Sequence, residues 1–245
     1  MTSHAQNFIE VLDKIRPSKH RYEVFNDWLI LASATLYSTW KKDKSVEDEF
    51  LQIAHQYTAS ELDQLCYLLT ITVEALAEKE HDFLGELFTL GGLSNERNGQ
   101  FFTPFEISCF MAKILIGENT KEKKRIIRVS DPCCGSGGML IACALVFKER
   151  GINYQKDVFF VATDIDHRCA RMAFIQLSLL AMPALIVCGN TLTGEIFWQR
   201  ETMSYHISGM DYRLIIEEFF DLIAKPVYQE EEFQEDENIK EEKRG

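Results

Sequence analysis

Three short strings carry the residues best suited to chemistry: Asp131-Pro132-Cys133-Cys134-Gly135-Ser136-Gly137-Gly138, then Thr163-Asp164-Ile165-Asp166, then Gly189-Asn190-Thr191-Leu192. The first sets an acid and a glycine-rich turn where an apolar run gives way to a helical pattern. Such a turn lets a ligand approach the backbone, and the helix it opens offers free N–H groups and a partial positive charge. A lone G-x-G is also an ordinary tight turn from strand to helix, and the acid at the strand end makes the whole string more specific. In the second string the carboxylates stand where doubly wound folds hydrogen-bond ribose hydroxyls. Asp166, directly before the next helical run, reads as its N-cap, and Asp164, nearer the strand tip, as the ribose ligand. Asn190 can meet a nucleobase edge or serve the Gly-Asn turn it belongs to.

Upstream lies Asn98-Gly99-Gln100-Phe101-Phe102-Thr103-Pro104-Phe105-Glu106. Thr103 and Glu106 have capping-box spacing with Pro104 at the first helical position, which predicts a helix over Pro104 to Ile116. Adjacent aromatics in a polar loop are costly unless they cover core or ligand, and a hydrophobic staple is the structural alternative. Vicinal Cys133-Cys134 reads as part of the turn, and His167 and His206 have no partners that point to nucleophilic or metal chemistry.

These residues need strands and helices to hold them. Arg125 to Ser130, Val158 to Thr163 and Ala184 to Cys188 are short, nearly continuous apolar runs, as expected of strands buried on both faces. Helical patterns over Gly138 to Arg150 and His167 to Met182 separate them, giving a βαβαβ unit with a mostly parallel sheet. From about Asn7 to Leu90 the apolar residues recur at helical spacing, with a break at Pro17 and another at Gly91-Gly92. The reading is an α/β protein: a helical N-terminal region over 1–95, a sheet core over 96–200, a C-terminal helical segment over 201–228 and an acidic tail over 229–245.

The chain has 245 residues, 46% of them hydrophobic, enough for one good core and an appendage. No apolar run reaches the roughly 20 residues of a membrane span and the start lacks signal architecture, so a cytoplasmic protein without membrane contact is expected. Seven cysteines without a C-x-x-C pair indicate neither a disulfide framework nor a zinc site, and no metal is expected. A net charge of −12 argues against gripping DNA unaided, because lysine and arginine supply most non-specific affinity for phosphate. Part of the excess is in Gln229 to Gly245, with eight acidic residues against three basic ones, a composition expected of a disordered end.

In order and spacing, GQFFTP, DPCCGSGGML, ATDID and CGNTL resemble the cofactor motifs of adenine-N6 DNA methyltransferases, and most of all the modification subunits of type I restriction-modification systems and related plasmid or phage methylase-like proteins. The resemblance covers roughly Asp82 to Leu192. It implies a Rossmann-like S-adenosylmethionine-dependent methyltransferase core, possible truncation of its sheet, and S-adenosylmethionine as cofactor. It also implies that Phe101, Phe102, Thr103 and Pro104 line the methionine and adenosine pocket. Asp131, Cys133, Gly135, Ser136 and Gly137 would wrap methionine and ribose, Asp164 would meet the ribose, Ile165 would belong to the same cofactor site, and Asn190 would take the place of an acid facing the adenine. DNA would be the substrate, reached with a partner specificity or catalytic subunit in a homo- or hetero-oligomer.

The family's catalytic Asp/Asn/Ser-Pro-Pro-aromatic loop is the exception. It holds a flipped adenine through a polar side chain, a prolyl carbonyl and a stacked ring. None of the five prolines here is adjacent to another. The nearest imitation is Lys225-Pro226-Val227-Tyr228, and a charged lysine has no acceptor for the target amine. Two functions follow from the resemblance: an adenine-specific DNA methyltransferase subunit, or a methylase-like binding module that serves as regulator, assembly subunit or anti-restriction decoy. An NAD-dependent oxidoreductase is the poorer reading, because the turn lacks the third glycine of G-x-G-x-x-G.

Overall fold

In the computed structural model the apolar runs become parallel strands: β1 (Ile127–Asp131), β2 (Val158–Asp164) and β3 (Ala184–Asn190). The structure describes residues 2–93, 102–117 and 126–208, all within one compact unit. The strands lie in the order β1-β2-β3, with Asp131 beside Ala162 and Asp164 beside Cys188. Each successive tip therefore projects further at the carboxyl edge of the sheet. Six of seven residues in both β2 and β3 are buried, as their unbroken apolar character requires. Helices α7 (Gly138–Glu149), followed by the single turn α8 (Tyr154–Asp157), and α9 (His167–Leu179) make the two crossovers. The expected Rossmann-like α/β core is present, and so is the helical N-terminal region.

That region comprises α1 (Ser3–Ile15), α2 (Arg21–Ser38), α3 (Lys44–Ala54), α4 (Ala59–Glu78) and α5 (Phe83–Leu90). Each start has a side-chain cap, from Thr2, His20, Asp43, Thr58 and Asp82 in turn. Phe8, Phe25, Trp28 and Phe83 form its aromatic centre, with Phe8 edge-on to Trp28 at 5.0 Å. The region packs on the core through α9, which is buried from Arg168 to Leu177 and touches α2, α4 and α5.

Three boundaries differ from expectation. Helix α6 (Phe105–Ile116) starts one residue late: Pro104 is the N-cap, its carbonyl accepts from Ile107 and Ser108, and no side chain caps it. Thr103 stands one position too early for the capping box. Helix α9 stops at Leu179 rather than Met182, because Ala181 takes φ 52° and closes a turn in which Met182 N–H donates to the Leu177 carbonyl. Residues 195–201, beyond the three expected strands, form β4 (Glu195–Glu201), antiparallel to β3. After β4 only the short α10 (Met203–Ile207) belongs to the C-terminal helical segment among the described residues. The rest of that segment and the acidic tail lie outside them.

Among the described residues no helix is long and apolar enough to cross a membrane, and no cluster of His, Cys, Asp or Glu can hold a metal ion.

Candidate functional site

Strand β1 delivers Asp131 to the carboxyl edge, and the chain then turns through Pro132–Gly137 into α7. Gly135 and Gly137 take φ 55° and 91°, the left-handed region that a side chain resists. At Gly135 there is a second reason for glycine: a Cβ would sit 3.1 Å from the Phe102 ring. The turn is fixed internally by Gly137 N–H donating to the Cys134 carbonyl (2.8 Å) and Cys133 N–H donating to Asp131 Oδ1 (3.1 Å). Strand β2 holds it from the side. Its Thr163 carbonyl accepts from Cys134 N–H (2.9 Å) and its Asp164 Oδ2 accepts from Gly135 N–H (2.8 Å).

Asp164 Oδ1 also accepts from Asp166 N–H, so both oxygens of the ribose candidate hold backbone. Asp166 is the N-cap of α9, accepting from Arg168 N–H, and it pairs with the Arg168 guanidinium. Burial pushes both Asp131 and Asp164 above the ordinary carboxylate range, and the charges of Asp131 and Asp166 add to the rise at Asp164. Among the described residues no lysine or arginine pairs with either. Burial also raises the thiols of Cys133 and Cys134, with Asp164 adding to both, so neither is an activated nucleophile.

Ile165 follows Asp164 with 57% of its surface exposed, an apolar face beside the strand tips. Asn190 commits its side-chain oxygen to the turn, accepting from Leu192 N–H (3.0 Å) and Thr193 N–H (3.4 Å), and its amide NH2 takes no part in these bonds. Thr191 Oγ donates to the Pro132 carbonyl (2.6 Å) and ties the β3–β4 loop to the glycine-rich turn.

Phe102 stacks on Phe88 at 5.0 Å and covers Gly135, which places it against the turn. Thr103 and Pro104 follow Phe102 into the wall of a neighbouring hollow of about 590 Å3, which His81, Asp82, Gly85 and Glu86 also line and no strand-tip residue shares. Phe101, Lys225, Pro226 and Tyr228 lie outside the described residues.

A family model described as N-6 DNA methylase matches residues 79–244. The chain belongs to the N-6 DNA methylase family. Two solved structures are similar. One is a Listeria monocytogenes protein assigned to the class I S-adenosylmethionine-dependent methyltransferases, with 16% identity, a TM-score of 0.43, and coverage of 75% of this chain and 52% of that one. The other is the methyltransferase subunit of a type I restriction-modification system from Streptococcus thermophilus, with 12% identity, a TM-score of 0.40, and coverage of 74% and 55%. This methylase-family chain thus spans about half the length of those two.

Sequence reasoning missed Asp82, Phe88, Gln176 and Thr191. Asp82, an acid just before a helical run, had the usual signature of an N-cap. Gln176 had no signal, because one polar residue among apolar neighbours on α9 reveals its contact only when folded.

Proposed function

We propose that this N-6 DNA methylase-family chain binds S-adenosylmethionine over the tips of β1, β2 and β3 and serves adenine-N6 methylation of DNA as a subunit of a larger assembly. The observation that carries this reading is the sign of the charge around the glycine-rich turn. Asp131 and Asp164 flank it without a paired cation among the described residues. A dinucleotide pyrophosphate would meet repulsion there, whereas the sulfonium and ammonium groups of S-adenosylmethionine would be attracted. The charge of Asp131 beside the turn speaks against the NAD-dependent alternative, whereas an acid at the second strand tip is common to both. Phe102, Asp131, Cys133, Gly135, Ser136 and Gly137 would enclose the methionine and ribose, Asp164 would take the ribose hydroxyls, Ile165 would lie against the adenine and the Asn190 amide would face its edge. Thr103 and Pro104 would contribute from the adjoining hollow.

The net charge of −12 supports placing the DNA-binding surface on a partner subunit. The absence of adjacent prolines supports a second reading, a cofactor-binding module without transfer activity of its own. Calorimetric titration with S-adenosylmethionine and with NAD tests the common premise: the first is expected to bind and the second not, and failure of the first removes both readings. Tritiated methyl transfer to adenine-containing DNA, with and without candidate partner subunits, then separates them. Binding without incorporation under every pairing leaves the module.

A further inference from the structure

We infer that Asp82 is a positioning residue for the cofactor turn, acting through Ser136; this rests on the cofactor reading above. Asp82 is only 6% exposed, and three buried donors converge on its carboxylate. Oδ1 accepts from Gly85 N–H at 3.0 Å, which caps α5, and from Gln176 Nε2 at 2.8 Å. Oδ2 accepts from Ser136 Oγ at 2.6 Å. Gln176 closes the network: its Nε2 also donates to the Ser136 carbonyl at 2.8 Å, and its Oε1 accepts from Leu84 N–H at 3.0 Å. One carboxylate and one carboxamide thereby join α5, α9 and the turn between β1 and α7.

A helix cap alone does not explain this arrangement. Capping α5 needs one acceptor, and a serine or threonine there would avoid burying a charge. The second oxygen points to the turn, and two glycines make room for it. A Cβ on Gly85 would lie 2.1 Å from Asp82 Oδ2, and one on Gly138 would lie 2.6 Å from it. Ser136 stands between Gly135 and Gly137, the two residues with left-handed backbone, so its neighbours supply little stiffness. The bonds from its hydroxyl and to its carbonyl hold the turn to the start of α5 and to α9. They set the direction of the backbone that a ligand would meet, and they also occupy the Ser136 hydroxyl, which faces Asp82 rather than the ligand.

The test uses the full chain with Asp82→Ala, Asp82→Asn and Ser136→Ala, reading S-adenosylmethionine affinity by calorimetry, melting by circular dichroism, and amide hydrogen exchange across 133–138. The Asn variant can still accept from Gly85 and Gln176 and can donate to Ser136 Oγ. Well below its melting point Asp82→Ala is expected to bind about tenfold more weakly and to exchange faster in the turn, while Asp82→Asn stays within about threefold of wild type. Ser136→Ala, which spares the α5 cap, should speed exchange in the same turn, and adding it to Asp82→Ala should cost little more. A lower melting point with unchanged affinity and unchanged exchange would reduce Asp82 to a cap. An Asn variant as impaired as the Ala variant would show that charge, not geometry, is what matters, and would overturn the inference. If the wild type does not bind, the cofactor reading falls, and the exchange measurements on Ser136→Ala still decide whether the turn is held this way.

Discussion

The N–H of Gly135 donates to Asp164 Oδ2 at 2.8 Å, so the turn after β1 is fastened to the tip of β2 by the residue expected to hold a ribose. One carboxylate thus serves both the shape of the turn and its charge. Replacing Asp164 with Ala removes the acceptor for Gly135 and for Asp166 together with the negative charge. The expected outcome is S-adenosylmethionine binding weakened at least about tenfold, with Asp164→Asn intermediate because one acceptor oxygen remains. Calorimetry on the three proteins checks this, and an Ala variant that binds like wild type would remove Asp164 from the site.

Acid pH should separate the two roles of these carboxylates. Asp131 and Asp164 are both raised, first by burial, so their contribution to folding is fully present below the ordinary carboxylate value of about 4 and is lost as pH rises through their raised values. A cationic ligand needs the opposite, ionised state. Affinity for S-adenosylmethionine is therefore expected to be flat near neutrality and to fall as pH drops through the raised carboxylate range. Binding in that range should release protons, which is measurable as a buffer-dependent heat. Proton uptake, or affinity that rises toward acid, would contradict the charge argument.

The parallel sheet was legible because β1, β2 and β3 announce themselves as unbroken apolar runs bounded by turn residues. The acids at their tips were legible for the same reason, since a strand end followed by a helix start fixes where a side chain must stand. Strand β4 was not, because its pattern is inverted: Arg200 is buried and Phe197 is exposed. The Arg200 guanidinium lies 5.0 Å from the Trp198 ring centre and 5.5 Å from that of Tyr37 and bonds to Glu49 at 3.3 Å, partners that no local period reveals. Thr103 misled for a related reason. Capping-box spacing is local, whereas the helix start was decided by Pro104 taking an extended ψ of 137° and becoming the cap itself.

Gly135 and Phe102 make a second pair whose coupling is measurable. Gly135→Ala must adopt φ 55° and place a methyl 3.1 Å from the Phe102 ring, which itself stacks on Phe88. The backbone conformation alone costs about 1–2 kcal/mol in an alanine. Moving Phe102 should then weaken ligand binding beyond what Phe102→Ala does alone. In the double variant the steric part should vanish, so the two effects on stability, measured by urea unfolding, should sum to less than their separate values. Strict additivity would mean that the ring does not feel the new methyl.

Ala181 offers a prediction about the frame rather than the site. It is the one non-glycine residue with positive φ among the described residues, at 52°. Its conformation lets Met182 N–H reach the Leu177 carbonyl at 2.9 Å and Ala181 N–H reach the Ser178 carbonyl at 3.1 Å, closing α9 before Pro183 leads into β3. Glycine adopts this backbone freely but loses more entropy on folding, so the gain from Ala181→Gly is the difference, about 0.5–1 kcal/mol. Valine, stiff at χ1 and crowded at positive φ, should destabilise by more than 1 kcal/mol or so. Urea midpoints for the two variants check both signs at once. Because α9 carries Asp166 at its start and Gln176 within it, the glycine variant should leave ligand affinity unchanged while the midpoint rises. A drop in the midpoint for glycine would show that α9 ends by another geometry.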